Sequence, residues 1–286
     1  MRQAKALRFN RLIYGSRMKI SVILSTYNQP GHLDLVLHGY GVQDDANFEV
    51  VIADDGSSDA TRQVIESHRG RWAHSIRHVW QEDEGFRKTR ILNKAIEASE
   101  GSYLIFSDGD CVPRREYVRM HRTISEKGRY VTGAYNRLPR GTTDRVTPRI
   151  VTSQKLFSPL WMVMNGFVPT RGLVRLIVPS RIGYFLDGFG SVEYGRFTGG
   201  NASCFKEDAI AVGGFNESMS WGMEDREFGT RLCNSGIMPK RLKNATYVLH
   251  LDHDRPYADE ELKKRNKEIL TETEQSRRTS LQPGQH

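Results

Sequence analysis

The sequence predicts an α/β fold: a Rossmann-like three-layer sandwich around a mostly parallel central sheet. Three short, apolar segments bounded by turn residues have the character of buried parallel strands: residues 20–24, 49–53 and 103–106. Segments with helical spacing begin near Pro30, Ser58 and Lys88, and Ser57, Ser58 and Asp59 are good helix N-cap residues. Alternation of strand and helix is typical of this layered architecture.

The chain of 286 residues divides into three parts. Residues 1–17 form a basic N-terminal extension, residues 18–256 the folded domain, and residues 257–286 a charged helix with a disordered tail from Ser276. Within the domain we distinguish residues 18–135, an irregular segment over residues 136–198, and residues 199–256. Regular structure in the last two parts is predicted at residues 209–212, as a helix over 224–233, as a strand over 246–249, and as a helix after Asp259.

Composition narrows the class of protein. The 42 Lys and Arg residues exceed the 34 Asp and Glu residues, which gives a net charge of +8 and favours anionic partners. The basic residues are spread along the chain without a zinc-finger or RNA-recognition signature, so we expect no nucleic-acid partner. Three distant cysteines favour a reducing compartment and buried thiols. Without a spanning apolar run or a signal peptide, a cytoplasmic protein is expected.

Polar residues follow each of the three predicted strands, at residues 25–28, 54–57 and 107–110. Ligands of open α/β sheets bind beyond the carboxyl ends of the strands, so these three segments predict one site. The last of them contains Asp108 and Asp110 around a glycine. Two such carboxylates offer hard oxygen ligands to a divalent cation, which in turn neutralises a diphosphate. Alone the tripeptide is also an ordinary turn, but its place after a buried strand favours the metal site.

Three ordered motifs, at residues 20–28, 51–59 and 106–110, resemble those of the family 2 inverting glycosyltransferases of the GT-A fold. The resemblance covers roughly Met18 to Pro256, except for the irregular segment. It implies transfer of a sugar from a nucleotide diphosphate donor, with inversion at the anomeric carbon. It also implies that residues 18–135 are a nucleotide-binding half and residues 199–256 an acceptor and catalytic half.

The resemblance also implies donor-binding residues. Ser25 and Tyr27 match the loop around the nucleotide base, Asp55 the carboxylate that accepts the uracil imide N–H, and Asp108 a ligand of ribose or metal. Asp55 could instead cap a turn, although Asp59 suits that role better. Cations near the start of the third helix can meet phosphate, and we choose Arg87 for the diphosphate or base edge. For Lys88 and Arg90, contact with phosphate and a solvated position on an exposed basic helix face are both open.

The second half carries three further motifs, at residues 199–203, 212–217 and 221–225. They resemble the acceptor half of β-1,4-galactosyltransferases and polypeptide N-acetylgalactosaminyltransferases, although this sequence shows no stem or membrane anchor of the animal kind. The resemblance places Gly200, Asn201 and Trp221 at the acceptor, with the Trp221 ring as a sugar platform.

Inverting transfer needs a base that takes the proton of the attacking hydroxyl. Asp225 matches the family's base and Glu224 its partner in binding the acceptor, and paired acids raise one another's pKa. Acids in a first helical turn are also common for electrostatic reasons alone.

His250 and His253 end the last predicted strand, and they resemble the late histidine that completes the GT-A metal site. His253 aligns better with that ligand than His250. Oxygen ligands joined by imidazole suit Mn²⁺, with Mg²⁺ as the alternative.

The irregular segment mixes apolar, aromatic and basic side chains: Trp161, Met162, Met164, Phe167, Leu173, Val174, Leu176, Ile177 and Phe185 with Arg171, Arg175 and Arg181. This mixture suits an interfacial segment on an anionic membrane surface, at the inner face of the membrane. A lid over the acceptor explains it equally well.

The combined prediction is a metal-dependent hexosyltransferase that uses a UDP-sugar of galactose, N-acetylgalactosamine or glucose. Its acceptor would be a glycan, such as a lipid-linked bacterial surface polysaccharide or lipopolysaccharide intermediate. Two alternatives stay open. A nucleotidyltransferase acting on sugar phosphates would need a glycine-rich, lysine-bearing loop after the first strand, where this chain has Ser25 to Asn28. A non-catalytic glycan-binding module would not need the intact Glu224 and Asp225.

Overall fold

The computed structural model describes residues 18–167, 178–188, 192–245, 247–254 and 260–281. The basic extension lies outside the described residues, as do Arg171, Arg175 and the apolar residues between them. No helix in the described ranges is long and apolar enough to cross a membrane.

A large sheet forms the centre of the described fold. Its strands in chain order are β1 (Ile20–Thr26), β2 (Phe48–Asp54), β3 (Ser75–Trp80), β4 (Tyr103–Asp108), β6 (Arg129–Thr132), β8 (Asn201–Phe205) and β9 (Met238–Arg241). Their spatial order is β3-β2-β1-β4-β8-β6-β9. The first four strands are mutually parallel, and β8 runs antiparallel to β4 and β6. The mostly parallel sheet predicted from the sequence is therefore present, with one reversed strand inside it.

The three predicted strands are buried because helices cover the sheet. Every residue of β2 is buried, and β1 and β4 are buried except near their carboxyl ends. The helices that follow β1, β2 and β3 are α1 (Pro30–Gly41), α2 (Asp59–His68) and α3 (Lys88–Ala98). Leu33, Val36 and Leu37 of α1 pack in one apolar cluster, whereas Ile91 and Leu92 of α3 belong to another. The sheet thus has a core on both faces.

The remaining helices follow β4 in the chain. They are α4 (Tyr117–Ile124), α5 (Arg140–Thr143), α6 (Pro148–Thr152), α7 (Pro159–Met164), α8 (Ser180–Asp187), α9 (Lys206–Ala211), α10 (Glu224–Asn234) and α11 (Glu260–Ser276), with a 3-10 turn at Lys155–Phe157. The segment predicted to be irregular therefore contains several short helices among its described residues.

A small second sheet places the histidines beside the Asp-x-Asp turn. It has the order β5 (Cys111–Pro113), β10 (Tyr247–His250) and β7 (Ala134–Arg137). His250 is in register with Cys111 on one side and Arg137 on the other. Because β5 directly follows Asp110, this pairing brings the end of β10 to the carboxyl end of β4.

Two expectations differ from the structure. Strand β3 was not predicted, because its alternating half-exposed pattern at the sheet edge lacks a continuous apolar run. Order also extends past Ser276: the Asn234 amide donates to the Arg278 carbonyl, and Leu281 is buried against Gly213. All three cysteines are free and buried, as expected.

Candidate active site

A cavity of about 580 Å³ opens at the carboxyl ends of β1, β2 and β4. It is lined by residues from both halves of the chain, including Ser25, Tyr27, Asp55, Lys88, Asp108, Asp110, Gly200, Trp221, Glu224, Asp225, His250 and His253. The structure therefore brings most of the predicted site residues to one place. A cavity of this size suits a nucleotide-sized ligand.

Asp108 lies at the end of β4 and is held by two neighbours. The Ser25 hydroxyl donates to its Oδ1 at 2.6 Å, and the Lys88 ammonium contacts the same atom at 2.7 Å. Burial opposes the charge of Lys88, but the carboxylates of Asp108 and Glu224 outweigh it and raise the pKa of Lys88. Of the two alternatives for Lys88, the structure therefore favours the first: Lys88, the first residue of α3, directs its cation into the cavity.

Asp110 meets both histidines. Its Oδ2 lies 2.9 Å from His253 Nε2, and its Oδ1 lies 3.6 Å from His250 Nε2. The two imidazole rings stack, with centroids 5.4 Å apart. Burial alone would raise the pKa of Asp110, but the hydrogen bond from His253 and the nearby imidazoles lower it to about 2. Both histidines, rather than His253 alone, therefore share the carboxylate.

This cluster fits a divalent cation. The ligating atoms of Asp110, His250 and His253 lie within 4.8 Å of one another, and Asp108, Asp110 and Cys111 form an overlapping group. Nδ1 of His250 lies 2.6 Å from the Leu251 carbonyl, and Nδ1 of His253 lies 2.7 Å from that of Asp254. If a cation replaced the proton on each Nε2, Nδ1 could still donate to its carbonyl and Nε2 would be a ligand beside Asp110, which is the usual arrangement of a metal-binding histidine.

Asp55 lies deeper in the cavity, after β2. Its Oδ1 accepts a hydrogen bond from the Gln81 amide at 2.6 Å, and its Oδ2 accepts one from the Arg87 backbone N–H at 2.8 Å. Burial raises the pKa of Asp55, although these two hydrogen bonds oppose the shift. Tyr27 is partly exposed at the rim and donates its hydroxyl to Asp83. The carboxylate is thus fixed in orientation and keeps lone pairs for a further donor.

The Arg87 side chain does not line this cavity. Its guanidinium pairs with Glu84 and donates to the Glu82 carbonyl at 2.9 Å. Arg87 precedes the first residue of α3, and the turn of the chain directs its side chain towards the 82–84 loop. The structure thus directs Arg87 away from this cavity and Lys88 into it, and the assignment of Arg87 to the diphosphate stays a prediction.

Glu224 and Asp225 form the second acidic group, in the first turn of α10. Asp225 accepts hydrogen bonds from the backbone N–H groups of Gly199 at 3.0 Å and Arg226 at 2.7 Å. Glu224 is buried, and its Oε2 has no hydrogen-bond partner among the described residues. Burial and the charge of Asp225 raise the pKa of Glu224 to about 7, although Lys88 opposes this shift. Burial likewise raises the pKa of Asp225 against its two backbone hydrogen bonds.

The three predicted acceptor residues have different positions. Trp221 lines the cavity. Gly200 lies against Asp108, where a Cβ atom would come within 2.9 Å of Oδ2, so glycine is required for this close approach. Asn201 is fully buried and donates to the Ala134 carbonyl at 2.7 Å. Asn201 begins β8 with its side chain directed into the core rather than into the cavity, and its assignment to the acceptor stays a prediction.

Another His and Asp cluster, Asp34, His38 and His68, lies on α1 and α2 away from this cavity. The Trp72 indole N–H donates to His68 Nδ1 at 3.0 Å, and His68 Nε2 lies 2.8 Å from Asp34. The proton of His68 therefore belongs on Nε2, where it donates to the carboxylate. Both ring nitrogens of His68 are thus hydrogen-bonded, whereas the buried Nδ1 of His38 has no hydrogen-bond partner among the described residues.

Two protein-family models match this chain, and both matches include residues that line the cavity. The model described as Glycosyl transferase family 2 matches residues 21–177, more than half of the chain. The model described as N-terminal domain of galactosyltransferase matches residues 189–254. Both resemblances inferred from the motifs are thereby confirmed.

Curated relatives are longer than this chain. A validoxylamine A glucosyltransferase of Streptomyces hygroscopicus subsp. jinggangensis (strain 5008) is 29% identical over 246 residues, which are 83% of this chain and 56% of the relative. A chondroitin synthase of Escherichia coli is 24% identical over 233 residues, which are 79% of this chain and 34% of the synthase. The chain thus spans between a third and just over half of these proteins.

Solved structures share the fold. The mannosyltransferase PcManGT from Pyrobaculum calidifontis, in complex with GDP-Man and Mn²⁺, has a TM-score of 0.57 at 18% identity and covers 84% of this chain and 59% of its own. TarS 1–349 of S. aureus, in complex with UDP-GlcNAc, has a TM-score of 0.57 at 17% identity and covers 91% of this chain and 72% of its own. The predicted GT-A fold class is confirmed.

Proposed function

The chain belongs to glycosyltransferase family 2, and we propose that it transfers a hexose from a UDP-sugar to a glycan acceptor, with inversion and with a divalent cation. The observation that carries this proposal is the pairing of two acidic groups in one cavity. One group, at Asp108 and Asp110, is neutralised by Lys88 and imidazoles, and the other, at Glu224 and Asp225, has raised pKa values. Donor binding and proton removal need these two environments.

The donor proposal rests on the nucleotide-binding half. Asp55 is positioned to accept the imide N–H of uracil, with Tyr27 at the rim and Ser25 beside Asp108. UDP-GlcNAc in the similar TarS structure supports a uridine donor, whereas GDP-Man in the mannosyltransferase makes guanine the alternative. Among hexoses we propose galactose, N-acetylgalactosamine or glucose, and the similarity to a glucosyltransferase supports the last of these.

We assign the cation to Asp110, His250 and His253, with Asp108 as a further ligand. Mn²⁺ is the preferred ion, because carboxylate and imidazole ligands suit it and the similar mannosyltransferase contains it; Mg²⁺ is the alternative. When bound, the ion would neutralise the diphosphate and so favour its departure. Lys88 adds a fixed positive charge beside Asp108 for the same purpose.

The proton chemistry is assigned to the first turn of α10. The acceptor hydroxyl oxygen attacks the anomeric carbon, its proton passes to Asp225, and the bond from that carbon to the diphosphate oxygen breaks to release UDP. Two backbone N–H groups hold Asp225 in place for this step. The unpartnered Oε2 of Glu224 is suited to accept a hydrogen bond from an acceptor hydroxyl, with Trp221 as the sugar platform.

For the acceptor we propose a lipid-linked glycan, such as a polysaccharide or lipopolysaccharide intermediate, reached at the inner membrane face from the cytoplasm. Leu160, Val163 and Met164 form an exposed apolar face of α7. Exposed cations, Arg145, Arg149 and Lys155, precede it in the chain. An apolar ridge with nearby cations suits an anionic lipid surface.

Co-sedimentation with liposomes tests this membrane proposal. The protein is expected to sediment with vesicles that contain phosphatidylglycerol, to stay in solution with phosphatidylcholine alone, and to be released by salt. The double variant Leu160→Ser with Met164→Ser should lose sedimentation. The control is Ile210→Ser, which removes an equally exposed apolar side chain on α9. Absence of binding to anionic vesicles at low salt would remove the membrane from the proposal.

The nucleotide proposal is tested by thermal shift with Mn²⁺. UDP-sugars are expected to raise the melting temperature, with little effect of Mn²⁺ alone at the same concentration. A shift with nucleoside triphosphates but not with UDP-sugars would favour a nucleotidyltransferase. Absence of any nucleotide shift would favour a glycan-binding module.

A further inference from the structure

The C-terminal helix α11 contacts the loop that carries Trp221. Asn266 is almost fully buried, and its side-chain Nδ2 lies 3.0 Å from the Ser220 carbonyl, 3.2 Å from that of Trp221 and 2.7 Å from that of Gly222. The two N–H bonds of one amide group therefore lie within hydrogen-bonding distance of three consecutive backbone carbonyls of the loop. Residues beyond 254 lie outside both family matches, so this contact belongs to neither family pattern.

The loop needs such support because its backbone is unusual. Gly222 has φ +94°, and Met223, with φ +71°, is a non-glycine residue in the left-handed region. This pair of positive φ values turns the chain directly into α10, whose first two residues are Glu224 and Asp225. A conformation of this kind persists only where surrounding contacts fix it.

The rest of α11 fastens the helix to α10 independently of the loop. The Thr273 hydroxyl donates to Glu227 Oε1 at 3.1 Å, in the buried pair between Glu227 and Arg231. Further along, the Asn234 amide donates to the carbonyls of Thr273 and Arg278. These contacts hold α11 against α10, and they also fix the position of Asn266 relative to α10.

We propose that Asn266 is a positioning residue for sugar transfer: it holds the 220–222 loop so that Trp221 and the two acids of α10 meet the acceptor in the reactive arrangement. This inference rests on the proposed function. It assigns to α11 a part in the acceptor side of the site and none in the donor side, because Asp55, Lys88 and the histidine cluster lie on other elements.

The test compares Asn266→Ala with Thr273→Val. Both changes remove one buried hydrogen-bonding group of α11, but only the first touches the loop. We expect Asn266→Ala to lower kcat for transfer by about 10- to 100-fold, because small displacements of reacting groups have effects of this size. The KM for the UDP-sugar should stay within about twofold of wild type, since ground-state donor contacts are unchanged. Thr273→Val should keep its kcat despite a similar loss of melting temperature.

A wild-type kcat in Asn266→Ala, alongside the lowered melting temperature, would overturn the inference and make the contact purely structural. A fall of kcat in Thr273→Val as large as that in Asn266→Ala would also overturn the inference. If the alanine variant does not fold, Asn266→Ser, which keeps one donor, is measured against the same thresholds. Failure of wild type to bind or turn over any UDP-sugar would instead refute the proposed function, and the two failures are therefore distinguishable.

Discussion

Two pairs of acids share one cavity and have opposite electrostatic environments. Asp108 and Asp110 face Lys88 and two imidazoles, and the pKa of Asp110 is lowered to about 2. Glu224 is buried and Asp225 is partly buried beside it, and the pKa of Glu224 is raised to about 7. The lowered pKa keeps Asp110 ionised at physiological pH, whereas the raised pKa of Glu224 lets that acid take up and release a proton. The difference shows how one chain separates binding of a charged donor from acid-base chemistry.

The largest effect is expected from the first pair. Asp110→Ala removes the carboxylate that both histidines face, so the cation loses a central ligand. Turnover should fall by at least about 10³-fold, because a bound metal contributes several kcal/mol to such a transition state. Glu66→Ala, a surface acid on α2, serves as the control and should behave as wild type. Measured with Mn²⁺ and a UDP-sugar, undiminished turnover in Asp110→Ala would exclude the metal role.

Asp225→Asn should lower turnover by a factor comparable to, or smaller than, that expected for Asp110→Ala. The amide keeps the shape but cannot accept the proton, so kcat should fall by about 10²- to 10⁴-fold. Glu224→Gln is the matched comparison: we expect a raised acceptor KM with a smaller fall in kcat, measured in steady-state transfer assays. The reverse pattern, with kcat lost in Glu224→Gln and kept in Asp225→Asn, would exchange the roles of the two residues.

The smallest expected effects concern pH. With the pKa of Glu224 at about 7, kcat/KM should fall as pH decreases below about 7, and Glu224→Gln should move this acid limb to lower pH.

The stability of the protein should also depend on this acid. The raised pKa of Glu224 means that the folded state binds the proton more tightly than the unfolded state, whose Glu pKa is about 4.3. This acid therefore costs stability progressively as pH rises from about 4.3 to about 7. Glu224→Gln should melt a few degrees higher than wild type at pH 8 and unchanged at pH 4; equal shifts at both would contradict the assigned pKa.

The two pairs also differ in how far the sequence predicts them. Asp55, Asp108 and Asp110 were predictable because parallel strands end at the same edge of a sheet, so residues that follow apolar runs must converge there. Glu224 and Asp225 were found only through resemblance to a family, since acids at a helix start are common. The fold class and the three strands at the centre of the sheet could likewise be predicted from short apolar segments of the sequence.

The positions of three side chains could not be predicted from the sequence. Whether Arg87 or Lys88 enters the cavity depends on the direction of one turn before α3, and both are cations. Asn201 has a polar side chain, but strand geometry directs it into the core. Asn266 lies on a charged helix with no motif around it, and its role follows only from the packing of α11 against the 220–222 loop.

Calorimetric titration of UDP in the presence of Mn²⁺, paired with turnover of the same samples, tests the separation of the two acid pairs most directly. The account predicts that Asp225→Asn binds UDP as wild type does while its turnover is lost, and that Asp110→Ala fails to bind UDP with Mn²⁺. Retained Mn²⁺-dependent binding in Asp110→Ala, or lost binding in Asp225→Asn, would contradict it.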